Sequence, residues 1–211
     1  MYIAIEGVIG VGKTTLARLL QPAFNAEILL EIFEENPFLS DFYGDRERYA
    51  FQTQIFFLLS RYHQQHRKIP ELLAQNDNLL SDYTFAKDGL FARINLNGDE
   101  LDMYERVHEA LAEKIRHPDL LVFLRAETQT LMDRIAMRDR PYERNMDSGY
   151  IAALGETYAE FFSKPYNNTP VLTIDTDDLN FVRKAEDLAF IREKIEEALA
   201  QTPPQPQLIE Q

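Results

Sequence analysis

The chain has 211 residues, of which 45% are hydrophobic and 27% charged, a profile that indicates one globular domain with a sizeable core. Its 22 Lys and Arg against 35 Asp and Glu give a formal net charge of -13, which argues against a nucleic acid polymer as partner because phosphate backbones attract basic surfaces. The chain contains no cysteine, so disulfides, thiolate nucleophiles and Cys-ligated zinc are excluded. Because a basic leader and a long apolar segment are both lacking, we expect a cytoplasmic protein that does not enter a membrane.

Short apolar runs alternate along the chain with longer segments of helical spacing. The runs predict five buried strands, at 2–5, 27–30, 78–81, 120–124 and 171–174. The longer segments predict helices at 13–22, 46–68, 84–94, 99–116, 127–138, 148–164 and 184–200. This alternation predicts an α/β fold in which helices cover both faces of a parallel sheet. We expect a single domain over residues 1–200 and a disordered Pro/Gln-rich tail over 201–211.

A phosphate-binding motif, G-x-x-x-x-G-K-[ST], stands between the first predicted strand and the first predicted helix, the context that it requires. The residues predicted to hold a nucleotide are Gly7, Gly10, Gly12, Lys13, Thr14 and Thr15. Backbone N–H groups of the glycine-rich loop and the dipole of the following helix attract phosphates, and Lys13 adds a charge that stabilises phosphoryl transfer. The hydroxyl of Thr14 is suited to Mg²⁺. The motif therefore predicts nucleotide binding, but it does not identify the acceptor.

Two carboxylates follow predicted strands on the acceptor side of the sheet. Glu31 closes the second strand and Asp82 follows the third. Ligands bind at the carboxyl ends of strands in open α/β sheets, so both side chains are expected to share a crevice with Lys13. They could hold Mg²⁺ and take a proton from a hydroxyl, although strand ends also favour polar residues for structural reasons alone.

The long second helix carries two polar side chains, Gln54 and Arg61, that lie seven residues apart and share one face. A buried Gln amide could read the edge of a nucleobase, but periodicity alone favours a solvent-facing stripe. The run 55–59 is apolar on several sides, which fits either a central core helix or a helix that packs on a second subunit. His63 and His66 on the same helix are expected to lie on the surface.

Four arginines, Arg134, Arg138, Arg140 and Arg144, lie within eleven residues. Pro141 is expected to end the helix that carries the first two and to leave the others on a loop. In an acidic chain such a cluster favours a mobile lid that clamps phosphates and stabilises a transition state.

Together these motifs resemble the deoxyribonucleoside kinase family, in particular its bacterial deoxyguanosine and deoxyadenosine kinases. The order of features matches to about residue 200: a P-loop, a strand-ending Glu, a Tyr followed eleven residues later by Gln, an acidic residue after the third strand, an Arg-rich lid and a late Asp-rich loop. The resemblance implies a P-loop kinase with a five-stranded parallel sheet, usually a homodimer. It also implies that ATP with Mg²⁺ phosphorylates the 5′-hydroxyl of a deoxyribonucleoside for nucleotide salvage.

The resemblance also implies a role for each matching residue. Glu31 would be the general base, with Lys13, Arg138 and Arg140 as the other catalytic groups. The substrate would be bound by Glu31, Tyr43, Gln54, Arg61, Asp82, Lys87, Asp88 and Glu143, with Tyr43 and Glu143 at the 3′-hydroxyl. Thr14 and Asp82 would bind the metal, while the nucleotide would be bound by the P-loop with Arg134 and Arg138, and by Asn180 and Phe181 at its adenine.

The chain departs from the family pattern after Asp82. Many members have Arg-Ser there, but this sequence has Tyr83 and Thr84, with Lys87 three residues later. We expect Thr84 to cap a helix and Lys87, in its first turn, to replace the missing arginine beside the 5′-oxygen. The Asp-Tyr-x-x-x-Lys pattern resembles bacterial deoxyguanosine kinases and favours a purine.

Two alternatives stay open. A thymidylate-like monophosphate kinase would share the fold and P-loop but would need cations for the acceptor phosphate, where this chain has Glu31, Glu34 and Glu35. A P-loop regulatory NTPase would not depend on a nucleoside for turnover.

Overall fold

The computed structural model describes residues 1–33, 35–164, 166 and 168–201. A sheet of five parallel strands lies at its centre, with spatial order β2-β3-β1-β4-β5. Its strands are β1 (Tyr2–Gly7), β2 (Glu27–Leu29), β3 (Leu79–Ser81), β4 (Leu120–Arg125) and β5 (Val171–Asp175). Every residue of β1 is buried, which explains its nearly unbroken apolar sequence.

Helices connect the strands and cover the sheet, as the alternating pattern predicts. They are α1 (Lys13–Phe24), α2 (Leu39–Gly44), α3 (Arg46–Gln75), α4 (Ala86–Asn95), α5 (Gly98–Ala112), α6 (Thr128–Arg138), α7 (Ser148–Phe162) and α8 (Ala185–Gln201). A 3₁₀ turn at Pro141–Glu143 follows α6. The α/β fold class and the five-stranded parallel sheet are therefore confirmed.

The register of the sheet places three strand ends along one edge. Ile3 of β1 lies opposite Leu80 of β3 and Leu120 of β4, and Leu80 in turn lies opposite Ile28 of β2. Because all strands are parallel, the segments that follow β1, β2 and β3 emerge side by side at the carboxyl edge. This edge is where the motif residues should meet.

Several boundaries differ from those predicted. Helix α3 continues through Pro70 to Gln75: the proline lacks one N–H, but Ile69 beside it is fully buried and holds the helix on the sheet. The short helix α2 and the 3₁₀ turn were not predicted because both are much shorter than the window of about 11 to 18 residues in which a hydrophobic period can be recognised. Gln201, expected in the tail, belongs to α8, and the rest of that tail, 202–211, lies outside the described residues.

The apolar run on α3 is partly buried in the core, and its packing on a second subunit stays a prediction. Phe57 and Leu58 are buried in the core, whereas Leu59 is 44% exposed. His63 and His66 lie on the exposed side, as predicted, beside Tyr62. Among the helices of the described segments, none is both long and apolar enough to cross a membrane.

Candidate active site

The P-loop connects β1 to α1 and folds around the side chain of Lys13. The Lys13 ammonium donates to the carbonyl of Gly7 at 2.7 Å and to that of Val8 at 3.1 Å. Burial and the nearby Lys87 ammonium lower the pKa of Lys13 to about 8. Within the described residues no carboxylate forms an ion pair with Lys13, so the amine is available to an anionic ligand such as a phosphate.

Two glycines of the loop occupy positions where a side chain does not fit. Gly10 has φ +89°, and a β-carbon there would lie 2.9 Å from the carbonyl oxygen of Leu131 on α6. Gly12 has φ +106°, and its β-carbon would lie 2.9 Å from the ring of Phe181. The loop is thus held between α6 and the segment before α8.

Asp82 joins the P-loop to the end of β2. Its Oδ2 accepts a short hydrogen bond from the hydroxyl of Thr14, and its Oδ1 accepts from the backbone N–H of Glu31 at 2.8 Å. The hydroxyl and carboxylate oxygens of Thr14 and Asp82 are hard donors of the kind that Mg²⁺ prefers. The pair predicted to bind the metal is therefore brought together, and its chemistry fits the ion.

Glu31 is held by two cationic side chains. The Lys87 ammonium lies 2.5 Å from Oε2, and the Arg61 guanidinium donates to Oε1 through Nε at 2.9 Å and Nη2 at 2.5 Å. Burial alone would raise the pKa of Glu31, but the charges of Lys87 and Arg61 lower it well below its usual range. Glu31 is therefore a fixed carboxylate across the physiological pH range.

The predicted base-reading residues are buried, so the expectation of a solvent-facing stripe is wrong. Gln54 is 2% and Arg61 5% exposed, because this face of α3 turns toward α4 and the end of β2. Arg61 forms an ion pair with the fully buried Asp88 as well as with Glu31. Among the described residues, Gln54 Oε1 and Asp88 Oδ2 have no hydrogen-bond partner. Unpaired buried polar atoms are costly, which makes a ligand at Gln54 favourable.

Lys87 lies in the first turn of α4, as predicted, but Thr84 does not cap that helix. Phe85 occupies the N-cap position without a side-chain hydrogen bond. The Thr84 hydroxyl instead donates to the buried carboxylate of Glu6 at 2.8 Å. Lys87 is 6% exposed, so it is not a solvated surface lysine.

Tyr83 stands where many family members have an arginine, and it is hydrogen-bonded through Gln64 to the backbone just before Glu31. Its hydroxyl donates a short hydrogen bond to the side chain of Gln64, whose amide donates at 2.8 Å to the carbonyl of Leu30. Tyr83 thus holds the backbone that leads into Glu31 but supplies no charge.

A second group of residues closes the opposite end of the site. Tyr43 of α2 stacks on Tyr142 with ring centroids 6.0 Å apart and planes 13° apart. Burial raises the pKa of Tyr43 well above its usual value, so its hydroxyl stays protonated. Glu143, 4% exposed, follows Tyr142 in the 3₁₀ turn, so the structure brings together the two residues predicted to bind a 3′-hydroxyl.

Two of the four clustered arginines face this site. Arg138 donates to Glu143 Oε2 at 2.6 Å, and Arg140 lies 3.6 Å from Glu143 Oε1. The Arg140 guanidinium also lies over the ring of Phe33 at 4.1 Å. Segment 138–143 therefore packs as one unit against the residues after β2.

The other two arginines lie elsewhere. Arg134 donates to the carbonyls of Val11 at 3.3 Å and Thr176 at 2.6 Å, and so ties the P-loop to the end of β5. Arg144 forms an exposed ion pair with Asp139. Nucleotide binding by Arg134 stays a prediction.

The late loop lies against the P-loop. Phe181 packs on Gly12, whereas Asn180 is exposed and its side chain accepts from the N–H of Arg183. Their contact with adenine also stays a prediction. Of the acidic residues near β2, Glu35 is exposed and Glu34 lies outside the described residues.

A cavity of about 270 Å³ connects these groups. The predicted site residues that line it are Gly10, Gly12, Lys13, Thr14, Thr15, Glu31, Tyr43, Gln54, Arg61, Asp82, Lys87, Arg138, Arg140 and Glu143. Gly7, Asp88, Arg134, Asn180 and Phe181 do not line it. Such a cavity, with apolar walls and a few convergent polar groups, is typical of a small-molecule site.

Several lining residues escaped the sequence analysis: Ile9, Phe33, Leu39, Phe42, Thr53, Phe57, Phe91 and Tyr142. Helical spacing could have indicated two of them. Phe57 lies one turn from Arg61, whose guanidinium is 4.5 Å from its ring, and Phe91 lies one turn from Lys87. Ile9 lies within the P-loop motif, and the remaining residues carry no local signal because they reach the cavity only through the fold.

A P-loop at the centre of a parallel sheet, opposite a fixed carboxylate and arginines on a connecting segment, defines a P-loop phosphotransferase. The family model for deoxynucleoside kinase matches residues 3–200. The chain therefore belongs to the deoxynucleoside kinase family, and it is an enzyme of that class.

Curated relatives agree with this assignment. The chain is 32% identical over 201 residues to a deoxyguanosine kinase of Bacillus subtilis, covering 94% of this chain and 97% of the relative. It is 34% identical over 179 residues to a deoxyadenosine kinase of Dictyostelium discoideum, covering 82% and 71% of the two chains.

A solved structure agrees as well. The deoxyadenosine kinase from M. mycoides with dCMP and dCDP bound superposes with a TM-score of 0.80 at 25% identity, covering 93% of this chain and all of that one.

Proposed function

We propose that this enzyme transfers the γ-phosphoryl group of ATP to the 5′-hydroxyl of a purine deoxyribonucleoside, deoxyguanosine or deoxyadenosine, for nucleotide salvage. The relatives named deoxyguanosine and deoxyadenosine kinase and the Asp-Tyr-x-x-x-Lys pattern support the purine preference.

The observation that carries the proposal is the placement of Glu31. Its carboxylate is fixed by Lys87 and Arg61 on the wall of the cavity that it shares with Lys13. An acceptor hydroxyl between Glu31 and the P-loop would be oriented by the carboxylate, while Lys13 offsets charge on the phosphoryl oxygens.

The rest of the cavity suits a nucleoside. Tyr43 and Glu143 offer a phenol and a carboxylate to a 3′-hydroxyl, and Gln54 offers an amide to a base edge. Arg61 and Asp88, which are also predicted to help read the base, form a buried ion pair. Aromatic walls such as Phe57 fit a planar base.

Thr14 and Asp82 would hold Mg²⁺ together with phosphate oxygens. When bound, the ion would neutralise charge on the phosphates. Among the described residues no group of three or more His, Asp or Glu could hold a metal. This agrees with an ion that takes few ligands from the protein and the rest from substrate and water.

The contacts at Glu31 disfavour a monophosphate acceptor. Arg61 and Lys87 are engaged by Glu31 and Asp88, and a second phosphate there would face the Glu31 carboxylate. Like charges at short range raise the free energy of binding. A cytoplasmic location and a homodimer complete the proposal.

An assay with radiolabelled ATP tests the proposal. Acceptors would be the four deoxynucleosides, their ribose counterparts and the monophosphates, with ATP hydrolysis measured in parallel. We expect the highest kcat/KM with deoxyguanosine or deoxyadenosine and ATP turnover that depends on the nucleoside. Preference for a monophosphate, or hydrolysis that ignores the nucleoside, would contradict the proposal in favour of a monophosphate kinase or a regulatory NTPase.

A further inference from the structure

Glu6 is a buried carboxylate that the proposed reaction does not use. It lies on β1 immediately before the P-loop and has no exposed surface. An ionised carboxylate without water raises the free energy of the folded state unless donors and cations surround it. Its presence beneath the phosphate loop therefore calls for an explanation.

The contacts of Glu6 join three parts of the fold. Its Oε1 accepts from both the backbone N–H of Thr84, at 2.6 Å, and the Thr84 hydroxyl, at 2.8 Å. Its Oε2 lies 3.3 Å from the N–H of Gly7 and 3.4 Å from the hydroxyl of Tyr158 on α7. The shorter contacts both fix Thr84, so the segment between β3 and α4 is held from below.

Thr84 in turn leads to Lys87. The carbonyl of Thr84 accepts from the N–H of Lys87 at 3.3 Å, which closes the turn that begins α4. From this turn the Lys87 side chain extends to Glu31 Oε2 at 2.5 Å. Thus a continuous chain of contacts runs from Glu6 through the Thr84 peptide to the ammonium that holds the catalytic carboxylate.

The electrostatic interactions of Glu6 also involve Lys87. Burial raises the pKa of Glu6, while the ammonium groups of Lys87 and Lys13 oppose this effect. Both of these lysines line the cavity. The Glu6 carboxyl therefore shares its surroundings with both ammonium groups, and that of Lys87 is nearly withdrawn from water.

We propose that Glu6 is a positioning residue for the phosphoryl transfer: by fixing Thr84 it sets the first turn of α4 and holds Lys87 against Glu31. This inference rests on the proposed role of Glu31. It assigns to the sheet, and not only to the loops, a part in arranging the reacting groups.

A purely structural role gives different results from a positioning role. If Glu6 only stabilises the fold, its loss should lower Tm and act on kcat independently of Lys87. If Glu6 acts through Lys87, its loss should lower kcat without lowering Tm, and the effect should vanish once Lys87 is gone.

The test is Glu6→Gln, Lys87→Ala and the double variant, measured with the best nucleoside acceptor. Glutamine keeps the shape, but its neutral amide oxygen makes weaker hydrogen bonds to Thr84 than the carboxylate does, and it removes the charge that acts on Lys87. For Glu6→Gln we expect kcat to fall about 10-fold, with KM for ATP and for the nucleoside within about 2-fold, as for a loss felt in the transition state. We expect Tm to stay close to that of the wild type, because the loss of a carboxylate near Lys13 and Lys87 and the relief of its burial oppose each other. In the Lys87→Ala background, Glu6→Gln should change kcat less than about 2-fold.

Thr84 provides a second series that does not alter the carboxylate. Thr84→Val removes the hydroxyl contact and should lower kcat, whereas Thr84→Ser keeps the hydroxyl and should restore it. The proposal would be overturned if the losses in kcat of Glu6→Gln and Lys87→Ala multiplied in the variant that carries both changes. A normal kcat of folded Glu6→Gln would also overturn it. If Glu6→Gln does not fold, equal kcat in the two Thr84 variants would overturn it.

Failure of the underlying function is distinguishable in the same experiment. A wild-type enzyme that phosphorylates no nucleoside, or a Lys87→Ala variant with unchanged kinetics, would contradict the proposed arrangement at Glu31 itself. A strong Lys87→Ala effect with independent Glu6 effects would contradict only the role of Glu6.

Discussion

Glu31 illustrates how neighbouring charges set the chemistry of a single side chain. Lys87 and Arg61 depress its pKa, which makes the carboxylate a weak proton acceptor but keeps it ionised and fixed. A loose transition state for phosphoryl transfer needs little proton removal before the phosphoryl group moves, so orientation of the hydroxyl matters more. In the proposed function, Glu31 therefore orients the hydroxyl more than it removes its proton.

Replacing Glu31 with Gln tests this role. We expect kcat to fall by about 10²–10⁴-fold, the usual range for a positioned base, while ATP binding persists because the P-loop is unchanged. Steady-state kinetics and ATP titration would measure the two effects. The exposed Glu35 offers a matched control, and Glu35→Gln should leave kcat near that of wild type. Near-normal kcat in Glu31→Gln would refute the assignment.

Lys87 is predicted to replace the arginine that many family members have after the third-strand carboxylate. Its ammonium contacts Glu31 directly, so Lys87→Ala should lower kcat/KM for the nucleoside by at least about 10-fold, or about 1.4 kcal/mol. It should also lower Tm, because Glu31 loses one of its two buried cationic partners. Lys87→Arg should recover only part of the loss, because the two cations differ in shape.

A surface lysine provides the comparison for Lys87. Lys68 pairs with Glu71 but is 53% exposed, and Lys68→Ala should leave the kinetics unchanged. Equal kinetics in Lys87→Ala and Lys68→Ala would leave a lid arginine as the better replacement.

The sequence allows some side chains to be placed and not others. The family resemblance and the need for a positive charge near Glu31 and Asp82 together predicted that Lys87 approaches Glu31, and its ammonium does so. The burial of Gln54 and Arg61 could not be predicted, because spacing shows that two residues share a face but not what covers that face. Thr84 looked like a helix cap because its preference is local, but its hydroxyl donates to the buried Glu6 carboxylate, a long-range contact that the local sequence does not show.

At the scale of elements, the segment after α6 combines arginines with the carboxylate that restrains them. Arg138 and Arg140 both contact Glu143, which is itself predicted to bind the 3′-hydroxyl. On these predicted roles, binding of the sugar and of the phosphates would draw on the same ion pairs. An arginine that binds a phosphate only in the transition state would have to break its contact with Glu143.

Alanine substitutions in this segment separate the arginines by role. We expect Arg138→Ala and Arg140→Ala to depress kcat more than they raise KM for ATP, because contacts made at the transition state appear in kcat. Arg144, which pairs with Asp139 and is 60% exposed, is the control, and Arg144→Ala should behave like wild type. A change confined to KM would instead indicate ground-state phosphate binding.

Long helices and buried strands were predicted well, whereas the shortest helical elements were not. The five strands and the longer helices follow from apolar runs and helical spacing. Helix α2 has only six residues and the 3₁₀ turn three, so neither completes a pattern. Yet these pieces carry Tyr43 and Glu143, whose proximity could be inferred only from the family resemblance.

At the scale of the whole molecule, apolar side chains remain exposed on neighbouring helices. Leu59 of α3 is 44% exposed, and Met103 and Val107, one turn apart on α5, are 56% and 37% exposed. Exposed apolar residues on adjacent helices are typical of a subunit interface. This surface agrees with the predicted homodimer.

Light scattering would test this assembly. We expect a mass of twice 24.6 kDa for the wild-type chain and of 24.6 kDa for the double variant Met103→Asp, Val107→Asp. Val182, 64% exposed before α8, is the control, and Val182→Asp should not change the mass. A monomeric wild type would contradict the prediction.

Helix α6 also offers a position from which the enzyme can be observed during turnover. Met137 on α6 is 81% exposed and directly precedes Arg138, and the chain has no cysteine of its own. A single thiol introduced by Met137→Cys would be the only one available to a maleimide dye. Fluorescence from that position would follow the arginine segment during turnover, without the background labelling that native thiols create.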